Sequence, residues 1–129
     1  MFVPSKMKDC YLIFLLNQDR ARKTIIFAQT RLGAERIALT LLELGFSAEC
    51  LHGDMSQVQR IKSLEKFKAG EVKILVCTDV AARGIDISLV EFVVNYDLCD
   101  PKNYVHRVGR TARIGHSGKS VTIVTQYDV

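Results

Sequence analysis

The sequence predicts an α/β domain: a mostly parallel β-sheet with helices on both faces. Two observations carry that reading. Short β-branched or aromatic runs that look like buried strands alternate with amphipathic helical stretches along the chain, the pattern of strand–helix–strand units joined by right-handed crossovers. Polar, irregular stretches follow the strand runs, where an open parallel sheet binds ligands at the carboxyl ends of its strands, while the connections at the opposite edge, Gly45-Phe46 and Ala69-Gly70, are plain.

The elements follow in order. Pro4-Ser5 reads as a helix start with Ser5 as N-cap, and Met7, Tyr11, Phe14 and Leu15 share a face of a helix ending near Asn17. Thr24-Ile25-Ile26-Phe27 reads as a strand. Leu32 to Leu44 reads as a helix buried through Ala34, Ile37, Ala38 and Leu41, with Gly45 placed to close it. Ser47 to Leu51 is a weaker strand. Ser56 to Lys68 is a helix whose Val58, Ile61, Leu64 and Phe67 recur every three residues, ended by Ala69-Gly70. Val72 to Cys77, Glu91 to Tyr96 and Ser120 to Thr125 are strand-like, and Pro101 to Val108 reads as a short helix.

Composition sets the bounds. A chain of 129 residues, 48% hydrophobic and 25% charged, suits one folded domain and departs from the pattern of disordered chains. No apolar run approaches the roughly 20 residues that cross a bilayer, and the start MFVPSKMKDC lacks the apolar stretch of a signal peptide. The expectation is a soluble, intracellular protein that uses no membrane. Cys10, Cys50, Cys77 and Cys99 form no CxxC pair and have no histidine at metal-ligand spacing. They are read as free, with no metal site, and Cys50 and Cys77 as small hydrophobes. Net charge is +4, and its placement matters more than its size. From Pro101 to Tyr127 there is no acid, while Lys102, Arg107, Arg110, Arg113 and Lys119 are cationic, a concentration that attracts phosphates.

Three stretches carry chemistry. In His106-Arg107-Val108-Gly109-Arg110-Thr111-Ala112-Arg113, two arginines stand three apart, so a helical turn would present both guanidinium groups to the oxygens of one phosphate. That is what arginine fingers require, because charge develops on the γ-phosphate oxygens during phosphoryl transfer. In Thr78-Asp79-Val80-Ala81-Ala82-Arg83-Gly84-Ile85-Asp86, small residues let the backbone approach a ligand. Thr78 offers a hydroxyl to a phosphate and Asp86 a carboxylate to a ribose hydroxyl, while Asp79 and Arg83 are read as pairing with other loop groups. In Leu51-His52-Gly53-Asp54-Met55-Ser56-Gln57-Val58-Gln59-Arg60, Gln57 and Arg60 stand three apart at a helix start, where side chains and free N–H groups can meet a nucleic-acid backbone. Taken alone, these two residues fit a solvated helix start equally well. Ser56 is read as the cap and His52 as a packed loop histidine. No GxxxxGK[ST] run and no acidic cluster for Mg²⁺ occurs, so a triphosphate here would need a second holder.

Ile25-Ile26-Phe27 with Thr30-Arg31, Leu51-His52-Gly53-Asp54 with Gln57 and Arg60, Thr78 to Asp86, Val93-Val94-Asn95-Tyr96-Asp97, and Tyr104 to Gly115 resemble, in order, the motifs of the C-terminal, second RecA-like domain of DEAD-box ATP-dependent RNA helicases of superfamily 2. The resemblance covers essentially residues 1–129. It implies that Arg110 and Arg113 reach the γ-phosphate of ATP as catalytic residues, with Gly84 and Asp86 completing this half of the ATP site. Thr30, Arg31, Gly53, Gln57, Arg60 and Thr78 would then form a sequence-independent RNA-backbone set, and Arg83, His106 and Arg107 would couple the two sites. ATP is implied as cofactor, with Mg²⁺ held by an N-terminal ATP-binding domain of the same protein that this chain does not contain. In the family's cycle, ATP and RNA close two domains, the closed form bends one strand so that a short duplex parts, and hydrolysis with phosphate release reopens the cleft. The isolated domain is expected to be a monomer without ATP turnover.

The opening VPSKMKDCYL and the ending TQYDV resemble the subgroup acting in small-subunit ribosome assembly. That implies the nucleus or nucleolus, with the cytoplasm as the alternative. Cys99 stands where the family often has proline, in a connection slightly short before Tyr104. Two rival readings are a stand-alone RNA-binding or protein-docking module and a DNA-directed helicase of the same superfamily. The paired Arg110 and Arg113 argue against the first.

Overall fold

Five strands lie parallel in a computed structural model that describes residues 3–79, 90–97 and 119–125. In chain order the elements are a 3₁₀ turn Ser5–Met7, α1 Lys8–Asn17, β1 Thr24–Ala28, α2 Arg31–Glu43, β2 Ala48–Leu51, α3 Gln57–Ala69, β3 Ile74–Thr78, β4 Phe92–Asn95 and β5 Lys119–Thr122. The strand order is β2-β3-β1-β4-β5, so the chain leaves β1 in one direction through α2 and returns from β2 through α3 in the other. A right-handed crossover in each direction puts the two helices on opposite faces.

The strand sequences serve both faces. Ile26, Ala28, Ile74, Val76, Phe92 and Val94 pack with Leu12, Leu15 and Leu16 of α1 and Ala34, Ile37 and Leu41 of α2. Ile25, Phe27, Leu75, Cys77 and Val93 pack on the other face with Phe67 of α3. Every residue of β1, β3 and β4 is buried, which is why these runs are apolar except for Thr24, Thr78 and Asn95 at their ends.

Helix α2 lies one residue earlier than expected at each end, and its buried face is the expected one, Ala34, Ile37, Ala38 and Leu41; Gly45 follows with φ 87, a left-handed conformation that favours glycine. Helix α3 is capped as expected by Ser56, which forms a capping box with Gln59, but its buried face differs. Phe67 is buried and Leu64 partly so, whereas Val58 and Ile61 are 63% and 45% exposed. A strict three-residue repeat retreats about 60° per step around a 3.6-residue helix, so Val58 and Phe67 end on opposite sides. Ser63, one turn before Phe67, is the buried partner instead.

At the N-terminus, Ser5 is not an N-cap. It opens the 3₁₀ turn after Pro4, which provides no side-chain cap. The buried residues of α1 are Leu12, Leu15 and Leu16, while Met7 and Phe14 are 49% and 55% exposed. The helix is thus rolled roughly 100° from the expected stripe, and polar ties from Lys8 and Asp9, described below, hold that roll. The expected helix Pro101 to Val108 lies outside the described residues.

At the amino edge of the sheet, Arg20, Arg22 and Lys23 lie over the rings of Phe46, Phe92 and Phe67 at 4.0, 3.9 and 5.8 Å. Long cationic side chains here cover the apolar ends of the core, and the Arg22 guanidinium is turned in far enough to donate to the Leu15 carbonyl at 3.0 Å.

Candidate nucleic-acid interface

The register makes one straight row of strand ends: Leu51, Cys77, Phe27, Asn95 and Thr122 are successive partners across all five strands. The segments after β2, β3, β1 and β4 therefore leave the sheet at one level, each about 4.8 Å from the next. This brings His52-Gly53, Thr78-Asp79, Gln29-Thr30 and Tyr96-Asp97 to one edge, and the chain departs in opposite directions from β1 and β4, the kind of switch point where α/β sheets bind ligands.

Thr30 is the N-cap of α2, its Oγ1 accepting from the Gly33 amide at 3.1 Å. That use consumes an acceptor lone pair and leaves the hydroxyl proton to donate outward. Helix α3 begins at Gln57, which is exposed. Gly53 is likewise exposed, and Thr78 is buried at the end of β3. Arg60 is half-buried, and its Nε has no hydrogen-bond partner among the described residues. A buried donor left unpaired costs about 1–3 kcal/mol, and an anionic oxygen would relieve that cost.

Arg31 is held within the protein. Its Nη1 donates to Asp54 Oδ2 at 2.6 Å and its Nε lies 3.4 Å from Glu35 Oε1. The Arg31 guanidinium holds the Asp54 carboxyl below the usual carboxylate range. Glu35 also lies 3.0 Å from His52 Nε2, and His52 Nδ1 accepts from the Asp54 amide at 3.2 Å. His52 is thus the packed loop histidine expected from sequence, and Arg31 ties the turn after β1 to the loop after β2.

Asp97 is the second tie. Its Oδ2 accepts from the Gln29 amide at 2.8 Å and its Oδ1 from Lys8 Nζ at 3.0 Å. Beside it, the Tyr96 hydroxyl donates to Asp9 Oδ1 at 2.6 Å and accepts from Arg36 at 2.9 Å, while Arg36 also donates to Asp9 Oδ2 at 2.8 Å. Burial works to raise the Asp9 pKa, yet Arg36, Tyr96 and Lys8 together hold it low. Burial, reinforced by Asp9, pushes the Tyr96 hydroxyl up to about 12. Residue spacing carries no signal for this network, because its partners lie 27 to 89 positions apart.

A shallow groove of about 500 Å³ runs beside the edge strand β2, lined in part by Glu35, Glu49, Cys50, Lys62 and Lys66. Its charges are mixed, and Lys66 is paired with Glu49 at 3.3 Å. Burial pushes the Cys50 thiol up to about 11, so it is a weak nucleophile at neutral pH. Cys77 is buried as expected, Cys50 only partly, and Cys10 is exposed. Among the described residues no helix is long and apolar enough to cross a membrane. Gly84, Asp86, Arg110 and Arg113 of the expected ATP site lie outside the described residues, as do Arg83, His106 and Arg107.

Comparison with known proteins places this geometry. A family model described as the helicase conserved C-terminal domain matches residues 5–115. The chain is 55% identical over 130 aligned positions to the ATP-dependent rRNA helicase RRP3 of Saccharomyces cerevisiae, covering 100% of the chain and 26% of that protein. It is 54% identical to a putative ATP-dependent RNA helicase of Caenorhabditis elegans, covering 100% of the chain and 27% of that protein. The chain therefore spans about a quarter of the length of these curated relatives.

Among solved structures, the Escherichia coli DEAD-box protein SrmB bound to RraA aligns with TM-score 0.92 at 37% identity, over 98% of this chain and 76% of that one. Saccharomyces cerevisiae Dbp5 bound to RNA and ADP BeF3 aligns with TM-score 0.88 at 35% identity, over 95% of this chain and 33% of that one. With its parallel RecA-like sheet, the register of its loops and this breadth of match, the chain belongs to the helicase conserved C-terminal domain family, among its DEAD-box members.

Proposed function

We propose that this chain is the second RecA-like half of an ATP-dependent RNA helicase that parts short RNA duplexes during ribosome assembly. The observation that carries the reading is the single edge on which Thr30, Gly53, Gln57 and Thr78 rise from aligned strand ends, with the Nε of Arg60, which has no partner among the described residues, in the first turn of α3. Hydroxyl, amide and guanidinium donors in that arrangement suit phosphate oxygens and carry no base code. RNA binding without sequence preference follows.

Arg31 serves this surface by holding the loop after β2 against α2, and it also supplies positive charge to a backbone passing over the edge. Asp86, Gly84, Arg110 and Arg113 form the nucleotide half, and Arg83, His106 and Arg107 couple it to the RNA half. ATP, held with Mg²⁺ by an N-terminal RecA-like domain of the same protein, supplies a γ-phosphate whose developing charge the two guanidinium groups neutralise. The names of the relatives, rRNA helicases in yeasts, support ribosomal RNA as substrate and the nucleolus as the place of action.

The test is RNA-stimulated ATP hydrolysis by the polypeptide in which this chain follows a phosphate-loop domain. Arg110→Ala and Arg113→Ala should each lose about 10³-fold or more while ATP binding is largely kept. Near-wild-type turnover in both variants would overturn the arginine-finger assignment. The 129-residue chain alone should bind single-stranded RNA weakly, with salt-dependent affinity, and turn over no ATP.

A further inference from the structure

The turn that starts α2 is capped at Thr30 and tied to the loop after β2 through Arg31, but its first residue is held from the other side of the site. Gln29 and Thr30 are exposed, and the Gln29 amide, one residue past the end of β1, donates to a side chain 68 positions away, Asp97 Oδ2 at 2.8 Å. The other oxygen of that carboxylate is engaged by Lys8 Nζ at 3.0 Å. Lys8 reaches it from α1, with its side chain only 13% exposed and its ammonium 4.1 Å from the Tyr96 ring centroid. The Tyr96 hydroxyl is in turn fixed by Asp9 of α1 and Arg36 of α2. Helix α1 and the turn after β1 thus meet on one carboxylate, braced through the neighbouring Tyr96 by α2, and its outward task is to hold a backbone N–H at the candidate phosphate edge.

We propose that Lys8 and Asp97 are positioning residues for RNA binding: the Lys8–Asp97 pair fixes the turn after β1 so that Thr30 meets the RNA backbone in register with the loops after β2 and β3. The geometry explains why a cation is buried here. Without Lys8 the Asp97 carboxylate could turn toward water. With Lys8 on Oδ1, Oδ2 faces the Gln29 amide, and the charge-assisted bond is stronger than a neutral one. Lys8 itself is turned inward and makes no phosphate contact. This inference rests on the RNA-backbone reading given above.

The experiment uses the 129-residue chain as wild type, Lys8→Met, Asp97→Ala and Asp97→Asn, with single-stranded oligouridylate as probe. Amide hydrogen exchange at Gln29, relative to Ile26 in the core of β1, reads the clamp directly. Affinity measured across a salt series reads its consequence. Exchange at Gln29 should quicken roughly tenfold in Lys8→Met and Asp97→Ala, the loss of about one hydrogen bond to a charged group. Asp97→Asn, which keeps an oxygen for the amide, should quicken it much less. RNA affinity should fall about three- to tenfold in the same order, again the scale of one weakened hydrogen bond, with the salt slope of the wild type.

Unchanged Gln29 exchange in both Lys8→Met and Asp97→Ala would overturn the proposal. So would faster exchange with RNA affinity intact. A slope reduced by about 0.7 in Lys8→Met would make Lys8 a direct phosphate contact and would also overturn it. A wild-type chain that binds no RNA would instead sink the RNA-backbone reading, and the exchange measurement would still judge the clamp by itself. Lys8→Met keeps the length of the stem over Tyr96, so the test stands even where Asp97→Ala folds poorly.

Discussion

Thr30 has two tasks that one set of substitutions can separate. Its Oγ1 caps α2 by accepting from the Gly33 amide at 3.1 Å, and on the proposed function its hydroxyl proton donates to RNA. Thr30→Ala removes both. Loss of the cap should cost about 1 kcal/mol, within the range of roughly 0.5–2 measured for such caps, which for a domain of this size lowers Tm by about 3–5 °C. Thr30→Asp keeps an acceptor for Gly33 and adds a negative charge at a helix N-terminus, which is favourable, so stability should equal or exceed wild type. The same aspartate has no proton to donate and repels phosphate. It should lower RNA affinity by about ten- to a hundredfold, the scale of a lost hydrogen bond to a charged group. Thr30→Ser keeps both tasks and should stay near wild type in both measurements. Thermal unfolding by circular dichroism and fluorescence anisotropy with labelled RNA read the two properties side by side. The reasoning is refuted if Thr30→Asp binds RNA like wild type, or if Thr30→Ala keeps the wild-type Tm.

Two further outcomes test the fold. Phe67, fully buried on α3 against Ile25, Phe27 and Leu75, anchors that helix with little help from Val58 or Ile61. Phe67→Ala should therefore destabilise by about 3–5 kcal/mol in urea unfolding, whereas Val58→Ser should change stability by no more than about 0.5 kcal/mol. The Tyr96 hydroxyl, raised by burial and by Asp9 from an ordinary value near 10 to about 12, contributes stability that is fully present below pH 10 and is lost as pH rises through about 12. Tyr96→Phe should be less stable than wild type at neutral pH by about 1 kcal/mol. The difference should shrink across that alkaline window, and a difference that stays constant would count against the assignment.

Local pattern determined much of this protein. The continuous apolar runs at Ile25–Phe27 and Leu75–Cys77 specify strands covered on both faces, and Ala34, Ile37, Ala38 and Leu41 specify the buried side of α2, because backbone periodicity acts over a few residues. The polar stretches after the strands are legible for the same reason, and a parallel sheet must bring them to one edge. The Ser56 cap is also written locally, in the residues up to Gln59.

Tertiary structure decided what depends on partners distant in sequence. The three-residue repeat from Val58 to Phe67 winds around α3 and names no single face, and docking decides that the Ser63 and Phe67 side meets the sheet. The roll of α1 follows from Lys8 reaching Asp97 and from Asp9 reaching Arg36 and Tyr96, none of which residue spacing announces. Arg31 has the composition of a phosphate ligand and is found paired with Asp54 and Glu35. A charged side chain takes the nearest complementary group in space, and nearness in space is set by the strand order β2-β3-β1-β4-β5, which no single stretch of the chain contains.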